Sequence, residues 1–281
     1  MKLKIMIDSA SDLTQKEAQD LGVLFMPIEV RFEDEEYLDG INLMPEEFFE
    51  KLEKSLSLPK TSLINEYRWE EAFENATKDG SDLLVLSLSS GLSGGYNAAK
   101  QAAEKFNGKV QVVDTLSATI GERLLLNYAI TLAKKDLSLN EVADLLNAAK
   151  AKLNITAFVG TLKYLKMGGR ISGAAAVVGE MLKIMPLIAV IDGKVKNIGK
   201  AMGTKKASFQ IRNIVRDKGI NFNMPFCLVY SGENQDNLNV FKKECSCLWE
   251  ENTAEIPVYK MGSTIGTHVG PGAVGIAYFE L

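Results

Sequence analysis

The sequence predicts an α/β protein, with an N-terminal parallel-sheet domain of three layers and a C-terminal domain of α+β type. Three observations carry this. Leu83–Leu88 is a nearly continuous apolar run, as expected of a strand buried on both faces of a parallel sheet. Strand and helix signals alternate up to about residue 152, the pattern of repeated β–α units. Beyond that point Leu187–Ile191 and Lys194–Ile198 flank Asp192-Gly193, which reads as a hairpin with an Asp-Gly turn. Domains of 1–152 and 153–281 follow. Neither repeats nor a low-complexity linker separate them, so the halves are expected to pack closely, with a cleft between them.

The elements are read in order. Residues 2–7 make a strand, and Thr14-Gln15-Lys16-Glu17 is a capping box opening a helix that ends near Gly22. Residues 23–32 read as one strand, followed by an acidic turn at Glu33–Glu36. Pro45 to Ser57 is an amphipathic helix with Phe48, Phe49 and Leu52 on one side. Pro59–Ser62 is expected to be a turn, and Asn65 caps a helix to Lys78 closed by Gly80. A strand at 110–113 precedes helices at 119–135 and 139–153, the second opened by a capping box at Ser138–Glu141. In the second half, strands are expected at 155–160, 225–231, 255–260 and 273–279, and helices from Ser172 to Lys183, 204–218 and 235–250. Met261 to Gly272 is expected to be a long glycine-rich loop.

Composition narrows the function classes. With 46% hydrophobic and 24% charged residues the chain is an ordinary globular protein. A net charge of −4 argues against a nucleic-acid partner, which selects a basic surface. The first strand runs straight into Asp8, unlike a signal peptide, and no apolar run approaches ~20 residues. Three cysteines, an odd number, fit a reducing compartment, so a cytoplasmic location is expected. A single histidine, His268, builds no metal cage, and the carboxylates lack the spacing for one; no metal and no cofactor are expected.

The chemistry is sought in the Gly/Ser loop Ser89-Ser90-Gly91-Leu92-Ser93-Gly94-Gly95. Between a buried strand and a helix, such a loop offers unpaired amides, three serine hydroxyls and a helix N-terminus, which suits an anion. It is neither a P-loop nor a dinucleotide fingerprint, and an ordinary β–α turn capped by serine is the competing reading. The loops at 8–12, 89–95 and 114–117 are expected to gather at one sheet edge. His268, flanked by Gly266, Gly270 and Gly272, is a candidate binding group. Taken alone, Thr61-Ser62 reads as a helix cap and Arg170 as a solvated arginine. Met167, Met181, Met185 and Met202 are mostly core by expectation, although methionine also lines adaptable pockets.

Seven segments together carry a resemblance. They are Asp8-Ser9-Ala10-Ser11-Asp12-Leu13, Tyr37-Leu38-Asp39-Gly40, Lys60-Thr61-Ser62, Ser89 to Gly94, Val112-Val113-Asp114, Gly169-Arg170-Ile171 and Ile265 to Gly272. In this order they resemble the DegV family, the fatty-acid-binding subunits (FakB) of bacterial fatty acid kinase, over essentially the whole chain. The resemblance implies a long-chain fatty acid in an apolar tunnel, with its carboxylate in the cleft between the domains and no catalysis by this chain itself. It implies that Thr61, Ser93 and Gly94 hold the carboxylate, with His268 in the same polar network. It further implies a separate ATP-dependent kinase as partner, docking at Arg170 and making an acyl phosphate for phospholipid synthesis, with at most transient membrane contact.

Energetics restrict the acid. A tail of ~14 methylenes at ~0.8 kcal/mol each yields on the order of 11 kcal/mol, against an association cost of roughly 4–15 kcal/mol; a two- to four-carbon acid falls short. The donors in view are hydroxyls and amides without a permanent cation, which leaves a carboxylate oxygen able to attack a phosphoryl group. The chain departs from the family pattern at Leu63-Ile64 after Thr61-Ser62, at Met185 where lysine is common, and at Met202 where an arginine tied to kinase docking is expected. Two other classes compete: a serine hydrolase using Ser93 and His268, which lacks a G-x-S-x-G motif and a nameable acid, and a small-phosphate or sugar binder, which needs polar groups deep in its cavity.

Overall fold

The computed structural model describes residues 3–171 and 183–281, and strand pairing sorts these described residues into three sheets. The first half runs β1 (Leu3–Asp8), α1 (Gln15–Asp20), β2 (Leu24–Met26), β3 (Glu29–Phe32), β4 (Glu35–Leu38), α2 (Pro45–Lys54), β5 (Lys60–Ser62), α3 (Glu66–Thr77), β6 (Asp82–Ser87), α4 (Gly95–Ala103), β7 (Val110–Asp114), α5 (Thr119–Leu132) and α6 (Leu139–Ala149). The second runs β8 (Leu153–Phe158), α7 (Lys163–Met167), β9 (Ile184–Ile191), β10 (Lys194–Met202), α8 (Thr204–Lys218), β11 (Cys227–Tyr230), α9 (Asp236–Cys245), β12 (Val258–Lys260), α10 (Ser263–Val269) and β13 (Val274–Phe279). The expected helix opened by Ser172, together with Met181, lies outside the described residues.

The parallel sheet has the order β2-β1-β6-β7, and β6 is apolar and buried along nearly its whole length because helices cover both faces. The second sheet, β10-β9-β8-β13-β11-β12, is mixed, and β4-β3-β5 form a small antiparallel ribbon. This bears out the α/β class. Both capping boxes form, at Thr14 with Glu17 and at Ser138 with Glu141. Asp192 and Gly193 both have positive φ, which suits the tight turn joining β9 to β10.

Helix α5 ties the two large sheets together. Residues 119–126 are buried without interruption, and the helix touches β1 and β6 on one side and β8, β11 and β13 on the other. A helix buried all round is the interior layer of a larger core. It also carries Glu122 and Arg123 into the interior.

Four expectations are corrected. Residues 23–32 are two strands in two sheets, because Pro27 cannot donate to a ladder and the chain turns out of the parallel sheet there. Residues 60–62 are a strand rather than a turn: Thr61 stands opposite Val30 of β3. The glycine-rich segment after Met261 contains helix α10. Its cap comes from far away, since the amide of Gly262 donates to Asp12 (2.8 Å) and those of Ser263 and Thr264 donate to Asp39 (3.0 and 3.1 Å). Buried carboxylates at a helix N-terminus offset both its orphan donors and its dipole. Two methionines expected in the core, Met167 and Met202, are exposed at 66% and 65%.

Candidate functional site

A cavity of about 220 Å³ lies between the sheets, lined from both halves of the chain. Its floor is one cross-strand row, Ile188–Ala157–Gly275–Val229, in register on β9, β8, β13 and β11. The two central members are small, so the row is a trough. A Cβ on Gly275 would lie 2.9 Å from that of Ala157, so glycine is required for the strands to sit this close. Leu88, Leu92 and Ile265 contribute to the other walls.

Every site residue named from the sequence lines this cavity: Thr61, Ser93, Gly94, Arg170 and His268. Thr61 is delivered by β5, Ser93 and Gly94 by the loop entering α4, Arg170 by the turn after α7, and His268 by α10. His268 therefore sits on a helix rather than in a loop. Its Nε2 is 2.9 Å from Thr61 Oγ1. Its Nδ1 is buried with no hydrogen-bond partner among the described residues. Burial, aided by the positive charge of Arg170, holds the imidazole pKa down at about 4, so the ring is neutral near pH 7. The ring packs on the backbone of Gly168, where an added Cβ would fall 2.3 Å from Nδ1.

The Gly/Ser loop is largely self-satisfied, which corrects the picture of several free amides. Leu92 and Ser93 donate to the Ser89 carbonyl, Ser90 to Asp114 and Gly91 to Ser89 Oγ. The Ser89 hydroxyl donates to Gly193 O at the tip of the β9–β10 hairpin (2.7 Å). Gly91 lacks a side chain because a Cβ would lie 2.6 Å from that same oxygen. Ser93 Oγ accepts the amide of Gly95, the first residue of α4, at 3.2 Å while keeping its own proton to give. The Gly94 amide has no partner among the described residues. What remains for an anion is one hydroxyl, one amide and the start of α4. The three loops do gather at one edge: Asp8 accepts from Leu88, and Ser89 donates to Ser117.

A permanent cation is present, contrary to the donor set read from the loop alone. Arg170 is half-buried and donates to Leu92 O (3.2 Å) and Gly168 O (2.5 Å), which pins α7's turn to the Gly/Ser loop. Its second role as a lining residue follows from the cleft, not from any local pattern. The small floor residues Ala157 and Gly275 were also missed. The available signal was a glycine and an alanine within otherwise bulky strands, which marks a close approach to something. Among the departures, Met185 is buried in the sheet and Met202 points to solvent at the end of β10; neither lines the cavity.

A family model described as "Uncharacterised protein, DegV family" matches residues 2–281. A DegV domain-containing protein of Deinococcus radiodurans is 32% identical over 281 residues, covering 99% of this chain and 98% of its own. A solved structure described as the fatty acid binding of a DegV family protein from Thermus thermophilus aligns at a TM-score of 0.88 and 31% identity, covering 100% of both chains. A DegV lipid binding protein from Thermotoga maritima aligns at 0.85 and 28% identity, covering 100% of this chain and 99% of its own.

Proposed function

The chain belongs to the DegV family, and from that premise we propose that it holds a long-chain fatty acid and presents the carboxylate to a separate ATP-dependent kinase. The observation that carries the reading is an aliphatic trough whose lining also includes Thr61, Ser93, Gly94 and His268. One water needs roughly 10–15 Å³ of such space, so 220 Å³ accommodates on the order of fifteen carbon-sized groups. Similar proteins described as fatty-acid or lipid binding share the fold over their whole length.

The head group follows from the donors. A carboxylate at the mouth receives the Ser93 hydroxyl, the Gly94 amide and, when His268 Nε2 carries the ring proton, the Thr61 hydroxyl. Arg170 adds long-range attraction while its own hydrogen bonds stay within the protein. A neutral imidazole leaves the carboxylate charge uncancelled, so an oxygen keeps the electron density needed to attack a phosphoryl group. In this reading the chain supplies no catalytic group, and Arg170 at the rim is the docking contact for the kinase. The hydrolase reading finds less support: His268 meets Thr61, and Ser93 Oγ accepts a backbone amide.

The test is mass spectrometry of a denatured extract of the purified protein. A stoichiometric long-chain fatty acid supports the reading, and protein without any after growth on lipid overturns it. Acyl phosphate formation with an added kinase, lost on Arg170→Ala while the lipid is retained, tests the partner.

A further inference from the structure

Behind the Gly/Ser loop, Asp8 and Glu122 bring two carboxyl groups together in the interior, at 2% and 0% exposure. Their surroundings are unequal. Asp8 Oδ2 accepts the Leu88 amide at 2.8 Å and the Ser87 hydroxyl at 3.2 Å, and Oδ1 accepts the Ala10 amide at 3.0 Å. Neither oxygen of Glu122 has a donor among the described residues. The charged groups that act most strongly on Glu122 are Asp8 on β1, Asp12 in the turn after it and Asp114 at the end of β7. Arg123, next along α5, is turned to Asp12 O, the Glu17 carboxylate and the Tyr259 ring. Two buried carboxylates in contact cannot both be ionised, and donors favour the ionised form of the group they reach.

We propose that Glu122 is a positioning residue that stays protonated and donates its proton to the Asp8 carboxylate. The acid pair then completes the clamp on Ser87 and Leu88, the residues from which the Gly/Ser loop and Ser93 depart. Burial and the neighbouring acids hold the Glu122 carboxyl well above its ordinary range, in keeping with this assignment. A carboxyl raised in the folded state contributes stability that is complete below the ordinary carboxylate pKa and is lost as pH rises through the folded value. Burial also pushes Asp8 up to about 6 and Asp12 up to about 7; both have the same sign and add their own slopes, Asp8 being the first of the pair to ionise.

The experiment is thermal unfolding of the full chain between about pH 5 and about pH 9, a span above ordinary carboxylate titration. It compares wild type, Glu122→Gln and Asp8→Asn. The Gln amide keeps the donor and cannot ionise, so its Tm falls less steeply with pH than wild type and exceeds it at the alkaline end. Asn at position 8 loses one acceptor oxygen and lowers Tm at every pH. In wild type at neutral pH, infrared difference spectra against Glu122→Gln show the carbonyl stretch of a protonated carboxyl. An unchanged pH slope in Glu122→Gln, a Gln variant that fails to fold, an absent carboxyl band, or an Asn variant tolerated as well as Gln overturns the assignment. Its bearing on head-group binding rests on the fatty-acid reading, but these readouts need no ligand, so the two fail separately.

Discussion

Thr61 Oγ1 and His268 Nε2 stand 2.9 Å apart although 207 positions of sequence separate them. The short strand β5, held by β3, and helix α10, held by Asp12 and Asp39, thus meet in the cavity wall.

Removing the Thr61 hydroxyl while keeping its shape isolates the hydrogen bond. Thr61→Val is expected to weaken fatty-acid binding about tenfold, equivalent to ~1.4 kcal/mol for one donor to a charged group, with β5 preserved by the β-branched side chain. Ser93→Ala also removes the acceptor of the Gly95 amide at the start of α4, roughly 1 kcal/mol of stability for one hydrogen bond. Titration with a fluorescent fatty acid and thermal melts separate the two effects, and unchanged affinity in both variants removes the carboxylate assignment.

Gly168 supports the ring from behind. Gly168→Ala places a methyl 2.3 Å from Nδ1, so the imidazole must move and its bond to Thr61 breaks. Overpacking of this kind costs about 1–3 kcal/mol, whereas an alanine in an open turn is nearly neutral. A melt unchanged within error, with affinity intact, contradicts the packing described.

His268 is the sole histidine, so one imidazole signal reports on the site without assignment ambiguity. Its pKa is lowered to about 4 from 6.5. Stability from the neutral ring is complete above the unfolded value and is lost as pH falls from about 6.5 through about 4. Ligand-free protein should therefore show no imidazole shift between about pH 8 and about pH 6. Midpoint titration near the ordinary value in that state would show the ring to be solvated.

On the proposed function, the trough sets the length of the acid. Affinity is expected to rise about fourfold per added methylene, from ~0.8 kcal/mol each, until the slot is full. Ala157→Leu fills the floor row, which carries none of the polar donors, so it should shift the preferred chain to shorter acids while leaving carboxylate donors in place. Competition across a series of saturated acids measures this, and an unaltered length profile rejects the row as the floor.

The legible parts of the fold were those whose causes are local. Thr14–Glu17 and Ser138–Glu141 carry their caps within four residues, and the Asp192-Gly193 turn needs only its own dihedrals. Helix α10 was read as a loop because its cap is Asp39, more than 220 positions away along the chain. Strand β5 has three residues and exists through its pairing with β3, which no window of sequence displays. Thr61, Ser93, Gly94 and His268 were named through a pattern of segments, whereas Arg170's place in the cavity wall required the fold. The loop's glycine count suggested free amides, but its own serines and carbonyls take most of them.

Helix α10 also makes one wall of the cavity conditional on distant parts of the chain. Its anchors, Asp12 and Asp39, precede it by more than 220 positions. Until both partners are in place a folding chain leaves its aliphatic groove open on one side, exposed to a chaperone or to another copy of itself. A truncation before this helix is therefore expected to give a sticky fragment instead of a weak binder.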